Sequence, residues 1–223
     1  MAVLETIETQ TGPQPEATII VLHGLGADGN DFVPIAQELD LSAAGPVRFV
    51  FPHAPVIPVT INNGQRMRAW YDIVGSDLVR REDEAGLRMS LGDVEDLLAR
   101  EKARGMAAGR IVLAGFSQGC AMALLAGVRH RERLAGIAGL SGYLPLAHST
   151  AAERSDANAL TPIFMGHGQY DNVVPLARGT ASRGVLSELG YQVEWNAYPI
   201  AHSVCMEEIA DLNRWLLKVL ARA

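Results

Sequence analysis

Cysteine is scarce in this chain, with only Cys120 and Cys205 among 223 residues and no CxxC or metal-ligand spacing around either. One pair cannot make a disulfide framework, so reduced thiols in a cytoplasmic protein are the expectation. Positive charge is also in deficit. Nineteen Lys and Arg against 25 Asp and Glu leave a formal net charge of −6, which argues against nucleic acid or an anionic membrane as partner, since both need a basic face. The apolar runs are strand-length, too short to span a bilayer, so no stable membrane insertion is expected. Residues 1–17 are polar and contain proline, which predicts no secretion signal. Neither a lipid-accepting N-terminal glycine nor a C-terminal CaaX is present. Internal repeats and low-complexity tracts are missing too, so a single domain over 1–223 is expected.

What remains is an ordinary globular composition, nearly half apolar and one fifth charged, arranged as alternating strand-like and helix-like segments. Short β-rich runs fall at Thr18–Leu22, Arg48–Phe51, Arg110–Ala114, Leu134–Leu140, Pro162–Met165 and Gln192–Tyr198. Their near-continuous apolar character suits strands covered on both faces. Leu87, Leu91, Val94 and Leu98 repeat at helical spacing before a stop at Gly105, and Ile209, Leu212, Leu216 and Val219 repeat the pattern near the end. The alternation predicts an α/β fold with a mostly parallel central sheet and helices on both faces. Only the stretch from His53 to Asp83 shows no clear pattern, and long loops of that kind commonly form lids or pocket walls.

Gly115-Phe116-Ser117-Gln118-Gly119 fits G-x-S-x-G. Chance would supply about 0.1 such motif in a chain of this composition, so the context must decide. The motif follows a strand and opens the Ala-rich helix Gln118–Val128, the strand–turn–helix setting in which a serine nucleophile is lifted above a sheet. The comparable serine in Gly139-Leu140-Ser141-Gly142-Tyr143 lacks the second glycine. A serine hydroxyl also needs a base, and the base an orienting acid, here in the chain order Ser, acid, His. His202 follows the strand Gln192–Tyr198, and Asp171 follows Pro162–Met165. Asp156, Glu188 and Glu194 lie in the same interval but read as a pre-strand loop, a helix surface and a strand exterior. His23, His53 and His167 sit at strand ends beside Gly or Pro, where structural hydrogen bonding is expected; His130 and His148 read as exposed loop residues. None has a second ligand at metal-site spacing, so no metal is expected.

His23-Gly24-Leu25-Gly26-Ala27-Asp28-Gly29 contains a literal G-x-G-x-x-G. A dinucleotide-binding turn would need an acid at the end of the next strand, and that strand runs into Pro52-His53-Ala54-Pro55 instead. The alternative is an oxyanion loop, in which the N–H of Leu25 pairs with that of Gln118 to hold a tetrahedral intermediate.

With these residues assembled, the chain resembles the carboxylesterase and acyl-protein thioesterase family of small α/β-hydrolases. The resemblance rests on HGLGADG at His23, PHAP at His53, PVTINNGQRMRAWYDI from Pro58, GFSQG at Gly115, LSGYLP from Leu140, HGQYDNVVP at His167 and AHSV at Ala201. Tyr170, beside the acid, departs from the family pattern, and the N-terminus lacks the cysteine that some eukaryotic relatives palmitoylate. The resemblance implies an α/β-hydrolase fold, a Ser117–Asp171–His202 triad, an oxyanion hole from Leu25 and Gln118, and an acyl pocket shaped by the loop around Trp70 and by Tyr143 and Leu144. It implies no cofactor, a small-molecule acyl ester or thioester as substrate, and a homodimer, although no exposed stripe in the sequence argues for one. A carboxylesterase of short- to medium-chain esters is the favoured expectation. Acyl-protein thioesterase or lysophospholipase activity is the near alternative, with a nucleotide-dependent oxidoreductase and a non-catalytic binding protein further off.

Overall fold

The computed structural model describes residues 4–75 and 82–221. Its centre is a seven-stranded sheet in the order β1 (Thr6–Gln10), β3 (Val47–Pro52), β2 (Ala17–Leu22), β6 (Ile111–Phe116), β7 (Gly136–Leu140), β8 (Ile163–Gly168) and β9 (Val193–Tyr198). Only β1 runs antiparallel to its neighbour. Strand side chains alternate between two cores. Ile20, Leu22, Ile111, Leu113, Ile137, Ile163 and Met165 point to one face, while Ile19, Val112, Ala114, Ala138, Leu140 and Phe164 point to the other. The first face is covered by α2 (Glu84–Ala103), α3 (Gln118–Arg129) and Leu186 of α5 (Leu176–Glu188); the second by α6 (Met206–Val219), with α1 (Val33–Gln37) packed at its margin. Strands apolar on both sides are the sequence consequence of that sandwich.

The unpatterned stretch is not a bare loop. Between His53 and Asp83 the chain forms an antiparallel hairpin of β4 (Val56–Val59) and β5 (Gln65–Arg68), turned at Asn63 (φ 55°) and Gly64 (φ 74°). Asn-Gly supplies the two left-handed positions such a turn requires. Residues 76–81 of the same stretch lie outside the described residues. Two histidine readings also shift. His130, expected in an exposed loop, is buried at the end of α3 with Nδ1 2.8 Å from Glu95. His148 is exposed as expected, but it lies within the short helix α4 (Ala147–Glu153).

At the start of α6, Glu208 is fully buried, its carboxyl against Gly166 of β8. Burial pushes this carboxyl up to about 8, partly opposed by the Cys205 N–H that faces it. It is therefore uncharged in the folded protein at neutral pH, whereas an unfolded chain ionises it near 4.5. Between those values the folded state holds the extra proton, so stability falls as pH rises from about 4.5 to 8 and levels off above that. The stability of Glu208→Gln is predicted to lose this fall, so that the gap between variant and parent widens from pH 5 to pH 8 by a few kcal/mol, on the order of what such a shift carries. Denaturant melts at the two values check it; parallel behaviour of the two proteins would show that Glu208 is not held protonated.

Candidate active site

β6, β7, β8 and β9 lie side by side and parallel, so their carboxyl ends share one edge of the sheet. Ser117 follows β6, Asp171 follows β8, and His202 follows β9. Residues separated by 85 positions of sequence meet there. The Ser117 hydroxyl lies 2.9 Å from His202 Nε2, and His202 Nδ1 lies 2.7 Å from Asp171 Oδ2. Asp171 is buried, and its other oxygen accepts the N–H groups of Val173 and Val174 at 2.9 and 2.8 Å. A carboxylate oxygen only accepts, so Nδ1 carries the imidazole proton and Nε2 presents its lone pair to the serine. That tautomer is the one a general base needs.

The turn at Ser117 is set by its two glycines. Ser117 itself has φ 57° and ψ −117°, a sparsely populated conformation costing about 1–3 kcal/mol for a residue with a side chain. A side chain on Gly115 would collide with the Gly119 carbonyl, and one on Gly119 with the Leu22 carbonyl. The serine can therefore leave β6 and enter α3 within one residue only because nothing projects on either side. Gly24 passes close as well, its missing Cβ 3.3 Å from that of Ser117. This brings the glycine loop beside the nucleophile, while Gln118 opens α3, where free N–H groups and the helix dipole favour negative charge.

The side chain of Gln118 has a separate part. Its Oε1 accepts the Trp70 N–H at 3.1 Å, and its Nε2 donates to the Tyr71 carbonyl at 2.9 Å. Trp70 Nε1 donates to the His23 carbonyl at 2.8 Å, next to the glycine loop. Ala54 N–H donates to His23 Nε2, leaving Nδ1 to donate to the Gly24 carbonyl at 2.7 Å. Burial lowers the His23 pKa, which favours the neutral ring this arrangement requires. Trp70 was expected to wall the acyl pocket. It is instead 1% exposed, because its indole N–H and backbone are committed to bracing Gln118 against the His23–Gly26 loop. His53 accepts the Gly29 N–H at 3.2 Å, and buried His167, its pKa lowered by burial, donates from Nε2 to the Val174 carbonyl at 2.8 Å. His167 Nε2 also lies 3.5 Å from Asp171 Oδ2.

Tyr143 and Leu144 line a cavity of about 490 Å³ between the segment after β7 and α5, which neither Ser117 nor His202 lines. Its walls include Ala177, Ala181 and Val185, with Glu82, His148 and Arg178 as polar members. The Arg178 guanidinium lies 3.6 Å from the centre of the Tyr143 ring, and the Tyr143 and Tyr71 hydroxyls are 3.0 Å apart. The segment is tied to the nucleophile turn, since Gly142 packs against the Ser117 carbonyl. Asp156, Glu188 and Glu194 are exposed. Among the described residues, no cluster of three His, Cys, Asp or Glu could hold a metal ion, and no helix is long and apolar enough to cross a membrane.

Gly119→Ala is predicted to be the most damaging single-methyl change at this site, because its collision is with backbone that cannot rotate away. Expected is loss of soluble folded protein, or a melting temperature lowered by many degrees, against near-parent behaviour of Gly184→Ala, where the added carbon meets nothing. Equal melting temperatures for the two variants would contradict the tight turn.

A sequence model of the phospholipase/carboxylesterase family matches residues 4–220. The chain is 41% identical over 221 residues to acyl-protein thioesterase 1 of Gibberella zeae, covering 93% of this chain and 92% of that protein. It is 40% identical to the Yarrowia lipolytica protein of the same name over 205 residues, covering 90% of each. Among solved structures, Arabidopsis thaliana SOBER1 superposes with a TM-score of 0.87 at 31% identity, over 92% of this chain and 99% of that one. Zea mays acyl-protein thioesterase 2 gives 0.83 at 27% identity, over 97% and 99%. Matched along almost its whole length, the chain belongs to the phospholipase/carboxylesterase family of α/β-hydrolases and is a serine hydrolase.

Proposed function

We propose that this hydrolase removes acyl groups from thioesters, including those on protein cysteines, through a Ser117–His202–Asp171 triad. The observation that carries the reading is the unbroken pair of hydrogen bonds from Ser117 to His202 to Asp171, and the thioesterase relatives at about 40% identity support the substrate class. Ser117 Oγ attacks the acyl carbonyl while His202 Nε2 takes its proton. The Leu25 and Gln118 N–H groups hold the oxyanion, each such donor being worth about 3–4 kcal/mol in the transition state. Collapse expels the thiol with the proton from His202, leaving an acyl ester on Ser117. Water, deprotonated by His202, then releases the fatty acid and restores the serine. No cofactor enters any step. The cavity walled by Tyr143 and Leu144 is the candidate seat of the acyl chain, a reading supported by the packing of Gly142, in the same segment, against the Ser117 carbonyl. Cys120 is buried and Cys205 unpaired, which supports a cytoplasmic setting.

A carboxylesterase of short- to medium-chain esters is the second reading. Arg178 favours it, since its guanidinium over Tyr143 puts bulk and charge into the same cavity.

The two separate on a matched series of S-acyl peptides and oxygen esters with chains of 4 to 16 carbons. The thioesterase reading predicts hydrolysis of both linkages, with kcat/KM for the thioesters at least tenfold above the matching esters beyond eight carbons. Activity confined to esters of eight carbons or fewer would replace it with the carboxylesterase. Turnover of neither series would sink both readings.

A further inference from the structure

Asp171 and Ser117 meet the His202 ring at opposite nitrogens. Two bonds at Nδ1 and Nε2 fix an axis through the imidazole but leave the ring free to swing about it. A third contact, on the ring's face, is needed to define its plane.

Phe116, the residue before the nucleophile, supplies a third contact, ring against ring. Its ring centre lies 4.8 Å from that of His202, with the planes tilted by 44°. Phe116 is itself held from behind. The Phe32 ring lies 5.7 Å away, and a side-chain carbon on Gly24 would come within 3.4 Å of its Cδ1. The strand–turn–helix geometry that exposes Ser117 thus delivers an aromatic ring to the base at the adjacent position. No glycine or acid in the motif requires an aromatic here; the packing against His202 gives this side chain its part.

The chemistry adds a second effect. His202 is neutral before reaction and becomes an imidazolium as Ser117 attacks. An aromatic ring within about 6 Å favours the cation, so the interaction grows in the transition state, where it accelerates the step rather than merely tightening binding. Asp171 acts in the same direction from the other side. His167 of β8 couples electrostatically to His202, and burial lowers its pKa, which favours its neutral ring.

We propose that Phe116 is a positioning residue for the His202 base, fixing its ring plane and favouring its protonated form. The inference rests on the triad reading above.

Three variants test it: Phe116→Leu, which keeps apolar bulk without a π face; Phe116→Tyr, which keeps the ring; and a graded series of fluorinated phenylalanines at position 116, which keeps the shape while draining the face of electron density. With a short acyl ester, Phe116→Leu is expected to lower kcat about two- to fivefold with KM within twofold, and to move the acid limb of the pH–rate profile about 0.3–0.7 unit toward lower pH. Phe116→Tyr is expected to restore both, and the fluorinated series to fall in step with fluorine content even if Phe116→Leu does not fold. Nuclear magnetic resonance titration of the His202 ring in free protein should show the same downward movement without any substrate. A loss carried by KM, a kcat loss with a stationary acid limb, or a flat fluorine series would each overturn the inference. Because the titration needs no turnover, a protein inactive on every ester would defeat the triad reading while still reporting whether Phe116 and His202 are coupled.

Discussion

The backbone at Ser117 turns from strand to helix in one residue, and the surrounding structure is arranged so that it can. The left-handed φ of 57° is maintained by a hydrogen bond from Ser117 N–H to the Leu140 carbonyl of β7 and by the first bond of α3, from Ala121 N–H back to the Ser117 carbonyl. β6 and α3 are both fully packed, α3 being buried from Gln118 to Val128. A strain of a few kcal/mol is therefore distributed over two elements that have no alternative packing. The compensation is functional, since the hydroxyl is lifted out of the sheet edge to where His202, from the loop after β9, reaches it.

A second constraint ties the nucleophile to the glycine loop. Gln118, Trp70 and His23 form a chain of hydrogen bonds through buried ground, where each bond is worth more than at a surface and each loss leaves an unpaired polar group. Two loops distant in sequence are thereby held in register with the start of α3. Electrostatic stabilisation of an oxyanion depends on donors already in place before the charge develops, and in the proposed mechanism this brace would hold the Leu25 and Gln118 N–H groups there. The burial that removes Trp70 from any pocket surface is the same burial that makes it rigid.

Much of this was legible in the chain before the structure, and the exceptions have physical causes. The inner strands of the central sheet stood out because burial on both faces leaves them largely apolar. The order Ser117, Asp171, His202 was readable because each residue follows its own strand. β1 was not, because Thr6-Ile7-Glu8-Thr9-Gln10 is a half-buried edge strand with polar residues at most positions, and edge strands carry a weak pattern. The hairpin at 56–68 was obscured by Pro58, which argues against a strand, although Asn63-Gly64 marks the turn plainly. His130 looked exposed among four charged or polar neighbours, yet its ring folds back onto Glu95. Phe116 and the Gln118 side chain could not be found from spacing at all, because what they touch is distant in sequence.

In the proposed mechanism Ser117, and no other nucleophile in the chain, is activated by His202. Labelling with a fluorophosphonate, followed by peptide mass spectrometry, tests this most directly, because the reagent needs an activated serine but no knowledge of the natural substrate. One label per chain is expected, on Ser117, absent from Ser117→Ala and slowed by orders of magnitude in His202→Ala. A label on Ser141 or any other residue, or labelling that survives in Ser117→Ala, would contradict it.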